Sequence, residues 1–279
     1  MVKDYLPSCL AEALALKKEA GAQGLFVAGG TDIMPARRTA PVMIYLGGIR
    51  ELQQVGKSPE LLSIGAGCSY ARLIEDSRIP EVLREAMLGI AAPAVRNAGT
   101  LGGNVCHASP AGDTLPLLYA MDGAVVAAHL EGSSIRERRI RIEDFIQGNR
   151  QTALEPEELV LRIEVPVSSY EPMTKARCLK VGARGAQAIA KLSFAGLARV
   201  EGDRLMDVRL AFGAVGLTVV RSRELEGRLK GLKLSEAAAA RQEILEAYGR
   251  LIRPIDDQRS TAAYRRQVCL NLLEDFLQL

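Results

Sequence analysis

Tryptophan is absent from the 279 residues, histidine occurs only at positions 107 and 129, and the five cysteines (Cys9, Cys68, Cys106, Cys178 and Cys269) are scattered with no CxxC pair. Without paired cysteines the chain is expected to ligate neither zinc nor an iron–sulfur cluster, and an odd set of lone thiols points to a reducing cytoplasm. Two histidines leave no Ser–His–Asp arrangement to argue, and His129 sits in a strand-like run where a structural role is expected. Nor does one sign of charge dominate, since 36 Lys and Arg face 33 Asp and Glu. A net charge of +3 with no basic stripe interleaved with aromatics speaks against nucleic acid. No apolar run is long enough to span a bilayer and no leader-like pattern opens the sequence, so no membrane association is expected. Repeats and low-complexity segments are missing as well. What is left is a chain of 48% hydrophobic residues, enough for one large or two modest domains.

Glycine and proline are present in quantity at two places. Between Pro93 and Leu118, PAVRNAGTLGGNVCHASPAGDTLPLL, they are too dense for a long helix, and the backbone is expected to bend tightly. Gly102 and Gly103 either let amide groups converge on an anion, as in a phosphate nest, or belong to a surface loop. A similar break occurs at Leu25 to Asp32, LFVAGGTD, where a strand runs into a glycine turn at its carboxyl end, a position that α/β layers favour for ligands. Asp32 there bonds a ligand hydroxyl or caps the next segment, and Arg37 and Arg38 read as a solvated face. GAGCSYA at 65–71 fails the dinucleotide fingerprint, because Tyr70 stands where the third glycine belongs.

The remaining pattern alternates short strands and helices. Ser8 is expected to cap a helix with Leu10, Ala13 and Leu14 on its apolar face, and Gly21 to close it. Short strands end in glycine near Met43–Ile49 and Leu61–Gly67, and Ser69 is placed to cap the next helix. Pro80 opens a helix with Leu83, Ala86, Met87 and Ile90 on one face, and Pro93 ends it. AVVAAHL, RRIRIEDF and LVLRIEVP predict an antiparallel sheet, and a hairpin turns at Glu201 to Asp203. Two amphipathic helices finish the chain. The fold class is α+β, with a boundary near the polar segment SSYEP, giving domains at 1–168 and 169–279.

The two glycine stretches together, VAGGTDI at 27–33 and AVRNAGTLGGN with ASPAGDTLP, resemble the FAD-binding (medium) subunit of the molybdenum hydroxylases, the family of xanthine dehydrogenase and carbon monoxide dehydrogenase. ELVLRIEVP, CLKVGARGAQAIAKLSFAGLARV and PIDDQRSTAAYRRQVCLNLL are similar to that family's later segments, so the resemblance covers nearly the whole chain. It implies a two-part FAD-binding domain, an α/β part plus an antiparallel sheet, followed by a smaller C-terminal domain of sheet and helices. It implies non-covalent FAD, with Val27, Ala28, Gly29, Gly30, Thr31 and Asp32 at the diphosphate and ribityl region. Thr100, Gly102, Gly103 and Asn104 would form a second wall of the cleft, His107 would lie beside the ring, and Asp113 would contact cofactor hydroxyls. Val160 would pack near the adenine or flavin edge, and Lys180 would donate to the ring system or the ribityl oxygens. By the same resemblance the partners are a two-cluster [2Fe–2S] subunit and a large molybdopterin subunit, with NAD⁺ or another acceptor taking the electrons and no catalytic residue or metal on this chain. Two alternatives stay open at this point: a stand-alone flavin oxidase of the vanillyl-alcohol type, and a nucleotide-binding module without turnover.

Overall fold

The computed structural model describes residues 2–279. In chain order they form β1 (Lys3–Tyr5), α1 (Leu10–Ala20), β2 (Gly24–Val27), β3 (Val42–Tyr45), β4 (Val55–Lys57), β5 (Leu61–Gly65), α2 (Tyr70–Glu75), α3 (Glu81–Leu88), α4 (Pro93–Ala98), α5 (Leu101–His107) and α6 (Leu115–Ala120). Next come β6 (Ala124–Glu131), β7 (Ser134–Arg141), α7 (Ile142–Phe145), β8 (Ile146–Gly148), β9 (Gln151–Thr152), β10 (Leu159–Pro166) and β11 (Lys175–Val181). The chain then completes β12 (Leu192–Glu201), β13 (Arg204–Gly213), β14 (Val220–Arg221), α8 (Arg223–Leu229), α9 (Leu234–Leu251) and α10 (Ala262–Phe276). This is the α+β class expected, and no helix among the described residues is long and apolar enough to cross a membrane.

Unit 1 comprises residues 2–79, Ala92–Ala108 and Gly123–Val165. Its first layer is a parallel sheet of order β1–β3–β2, with Lys3 opposite Val42 and Leu25 opposite Met43. Helix α1 lays Leu10, Ala13 and Leu14 into one core with Ile44, Leu52 and Leu159, which is the burial its apolar spacing calls for. Ser8 does not cap this helix: its amide and hydroxyl both donate to Glu12 Oε2, at 2.7 and 3.0 Å, while Glu51 Oε1 takes the amide of Leu10 at 3.0 Å. At the other end Gly21 closes the helix at φ +54, and buried Lys17 Nζ satisfies the carbonyls of Gly21 and Gly24. The second sheet has the order β4–β5–β10–β6–β7. Its edge strand β7 is exposed along nearly its whole length, and its arginines pair with glutamates, Arg138 with Glu158 and Arg139 with Glu164. A charged edge of this kind discourages pairing with other chains.

Unit 2 comprises Pro80–Ala91, Ser109–Asp122 and Pro166–Leu279, so residues 80–91 and 109–122 of the expected first domain group with the later sheet. That sheet has the order β11–β12–β13–β14 and is antiparallel throughout. Phe194, Phe212, Tyr248 and Phe276 stack in its core, with ring centroids 5.2–5.4 Å apart. The hairpin turns where expected, with Gly202 at φ +59. Helix α6 packs on β12 and β13, close enough that a Cβ on Gly213 would lie 2.9 Å from Pro116 Cγ. Pro93 corrects one expectation. It does not end the preceding helix, which stops at Leu88; it is the first residue of α4, the place where a missing amide hydrogen costs nothing.

Candidate functional site

The first glycine turn leaves β2 at its carboxyl end. Val27 is buried and hands the chain to a bend at Ala28 and Gly29, and Gly30 takes φ +68, a conformation that glycine adopts without a Cβ clash. A helical turn then closes with the Met34 amide on the Gly30 carbonyl at 2.9 Å. Inside this turn the amides of Gly29, Gly30, Thr31 and Asp32 find no acceptor among the described residues. Four successive partly exposed amides at the end of a parallel strand form a cradle for an anion.

The second glycine stretch is built differently. Instead of a loop, residues 93–107 form two short helices joined at Gly99 and Thr100. Thr100 Oγ1 caps α5 by accepting from the Gly103 amide at 3.0 Å, the Gly102 amide donates to Ala66 O at 3.0 Å, and the Asn104 amide donates to Thr100 O at 3.1 Å. Both glycine amides therefore have an acceptor within the fold. The absence of side chains there serves close packing: a Cβ on Gly102 would lie 2.5 Å from the Ala66 side chain. Asp32 and His107 bring the two stretches within reach, Asp32 Oδ1 lying 3.7 Å from His107 Nε2.

Unit 2 holds the next two candidates. Asp113 Oδ2 and Lys180 Nζ are 2.6 Å apart, and Lys180 Nζ also donates to Gly89 O at 3.1 Å. Both side chains line a cavity of about 240 Å³ together with Gly89, Cys178, Gly182 and Ser193. Burial pushes the Asp113 carboxyl up from the usual carboxylate range, against the pull of the Lys180 ammonium. Asp113 Oδ1 and Ser193 Oγ are buried with no partner among the described residues. An orphaned carboxylate oxygen on a cavity wall suits a hydroxyl-bearing ligand, which would supply the missing donors. Ser193 and Gly89 carry no signal in the sequence, because only the pairing of β11 with β12 and the end of α3 bring them here.

Val160 and His129 are strand residues. Val160 is buried in β10 opposite Ala127 of β6, at a bulge in the ladder, and His129 stands opposite Arg136. No cluster of three or more His, Cys, Asp or Glu placed to hold a metal occurs among the described residues. The run of unused amides in unit 1 suits the diphosphate of a dinucleotide such as FAD.

Residues 1–168 match the family described as FAD binding domain in molybdopterin dehydrogenase, and residues 177–279 match the CO dehydrogenase flavoprotein C-terminal domain. The glyceraldehyde dehydrogenase medium chain of Sulfolobus acidocaldarius is 30% identical over 87% of this chain and 85% of its own. Caffeine dehydrogenase subunit beta of Pseudomonas sp. is 30% identical over 82% of this chain and 78% of its own. Among solved structures, the carbon monoxide dehydrogenase of Hydrogenophaga pseudoflava lacking the Mo-pyranopterin moiety superposes with a TM-score of 0.89 at 25% identity, covering 98% of this chain and 95% of that one.

Proposed function

The chain belongs to the family of FAD-binding flavoproteins of the molybdopterin dehydrogenases, and from that premise we propose that it is the subunit through which electrons leave a three-component complex for NAD⁺ or a similar acceptor. It is an oxidoreductase subunit, and its cofactor is FAD. The observation that carries the reading of the site is the run of unused amides from Gly29 to Asp32, which would take the diphosphate. Thr31 and Asp32 would extend that contact toward the ribityl chain, and Thr100, Gly102, Gly103 and Asn104 would shape the wall behind it by close packing. Asp113 would accept from a cofactor hydroxyl through Oδ1, with Lys180 holding its other oxygen in place. When bound, FAD supplies the exchange between one-electron donors and a hydride acceptor, the chemistry needed between [2Fe–2S] clusters and nicotinamide. The clusters and the molybdopterin would be held by partner chains, since this chain has no cysteine set to ligate iron.

The test uses the purified chain. It is expected to carry one FAD, which bleaches on anaerobic addition of NADH, and to reduce a dye from NADH without oxidising a purine or an aldehyde. Bleaching by dithionite but not by NADH would remove nicotinamide as the acceptor. Stoichiometric iron, or substrate oxidation without partners, would overturn the subunit reading itself.

A further inference from the structure

The sheet of unit 2 has two unlike faces. Leu179, Phe194 and Phe212 turn toward the core that holds Tyr248 and Phe276. On the other face Lys180 of β11 stands directly opposite Ser193 of β12, and Ser193 opposite Gly213 of β13. Residues paired in this way share a face, with Cβ atoms about 4.5–5.5 Å apart. Asp113 lies over the row, because its Oδ2 is 2.6 Å from Lys180 Nζ. Asp113, Lys180 and Ser193 all line the cavity of about 240 Å³.

Ser193 breaks the rule that buried polar groups are paired. The residue is 1% exposed, yet its Oγ has no partner among the described residues; an alanine in its place would leave no orphan. The neighbouring strand makes room for the hydroxyl: a Cβ on Gly213 would lie 2.4 Å from Ser193 Oγ as well as 2.9 Å from Pro116 Cγ. Asp113 Oδ1 is likewise buried and unpaired. Lys180 Nζ donates to Asp113 Oδ2 and to Gly89 O, which leaves its third hydrogen without an acceptor among the described residues. A water fills about 30 Å³, so the cavity admits a group of several heavy atoms. These three atoms select one chemistry. Asp113 Oδ1, in a carboxylate beside an ammonium, accepts; Lys180 Nζ only donates; Ser193 Oγ does either. A phosphate or carboxylate would bring no hydrogen to Asp113 and would add like charge beside it. An amine would face the Lys180 ammonium, and an apolar group would leave both buried oxygens unpaired. Two adjacent hydroxyls satisfy all three, one donating to Asp113 Oδ1, the other accepting from Lys180 and bonding to Ser193 Oγ.

We propose that Ser193 is a ligand-binding residue, and that together with Asp113 and Lys180 it takes a vicinal diol, the group carried both by the polyol chain of the cofactor and by the ribose of a nicotinamide nucleotide. The part given to Asp113 rests on the flavin reading above; that of Ser193 is additional to it. The test compares the full-length wild type with Ser193→Ala in three measurements: thermal unfolding of the apoprotein, the FAD dissociation constant on reconstitution, and KM for NADH in dye reduction at saturating FAD. The apoprotein Tm of the variant is expected to equal or exceed that of the wild type, because an orphaned buried hydroxyl is gone. A rise of about three- to tenfold in the FAD dissociation constant, the weight of one hydrogen bond between uncharged groups, with KM for NADH unchanged, would identify the diol as the cofactor's. A rise of that size in KM for NADH, with kcat and FAD affinity unchanged, would identify it as the ribose of the nucleotide. A lowered apoprotein Tm would overturn the proposal, since the hydroxyl would then be a bond within the fold. An unchanged dissociation constant together with an unchanged KM would also overturn it, leave the flavin reading standing, and give the place beside Ser193 to a buried water. A wild type that takes up no FAD would bring down the flavin reading, and the diol site with it.

Discussion

A Cβ on Gly29 would lie 1.7 Å from the carbonyl oxygen of Ala98 and 3.0 Å from the Gly99 amide. Backbone meets backbone there, so no rotamer change can make room. Gly29→Ala is expected to lower stability by at least about 1–3 kcal/mol, the usual cost of overpacking, and to empty the FAD site, because the amides of Gly30 to Asp32 would be displaced. Thermal unfolding and the visible absorbance of the purified variant measure the two effects. A variant that stays yellow with an unchanged Tm would show that the first loop does not lean on residues 98–99.

Gly102 and Gly103 separate by the same geometry. At Gly102 the new carbon would lie 2.5 Å from Ala66 Cβ and 2.6 Å from its carbonyl oxygen, whereas at Gly103 it would meet only Thr100 Oγ1, at 2.9 Å. Gly102→Ala is therefore expected to be the more damaging of the two in a denaturant titration. Equal midpoints for the two variants would contradict the packing role given to Gly102.

The glycine turn at 29–30, the hairpin at Gly202, the Ser69 cap and the α+β class are legible in the sequence because they are local signals, fixed by residues within a few positions of one another. The partner of the Gly102 amide is Ala66 O, 36 positions away, so the packing contact of this glycine doublet has no local signal. Ser8 fails as a cap because Glu12 and Glu51 compete for the same bonds. Segments 80–91 and 109–122 belong to the first domain by sequence neighbourhood, but their packing partners are β11, β12 and β13.

Asp113 provides a test at the cofactor. Asp113→Asn keeps the shape but removes the charge that holds Lys180 at 2.6 Å and the strong acceptor at Oδ1. FAD affinity is expected to fall by about 1–3 kcal/mol, the range for a charge-assisted hydrogen bond, measured by flavin fluorescence on reconstitution. An unchanged dissociation constant would move Asp113 out of the cofactor site and leave its pairing with Lys180 as a structural bond.

Asp257 sets an acid limit on stability. The Arg265 guanidinium beside it, with amides from Arg259 and Ser260, holds its carboxyl down to about 2. Its unfolded value is about 3.9, so the folded state favours the charged form. The stabilisation is present above the unfolded value and is lost as pH falls through the window from about 4 to about 2. Asp257→Asn is expected to be less stable than the wild type at pH 6 and to show a smaller loss between pH 4 and 2. Parallel acid titrations of the two proteins would contradict this.

Arg221 carries the largest expected effect on stability. Its side chain is 4% exposed and bonds Glu226 through Nε at 2.8 Å and Nη2 at 2.9 Å, Asp122 through Nη1 at 2.7 Å, and the Tyr119 carbonyl. Glu226 is buried too, and its Oε1 also takes the Leu210 amide of β13 at 2.8 Å. One guanidinium thus ties the end of α6 to β14 and α8, all within unit 2. Burial alone pushes the Glu226 carboxyl up, with the arginine opposing it. Arg221→Leu leaves that carboxyl without its counter-charge, and such a loss typically costs about 3–5 kcal/mol. Replacing both partners, Arg221→Leu with Glu226→Leu, removes the stranded charge and is expected to recover part of that loss, though the Leu210 amide then goes unpaired. Chemical denaturation of the two single variants and the double variant closes the cycle. Additive losses would mean that the two side chains do not stabilise one another, and that the packing of α6 on the sheet alone holds this corner.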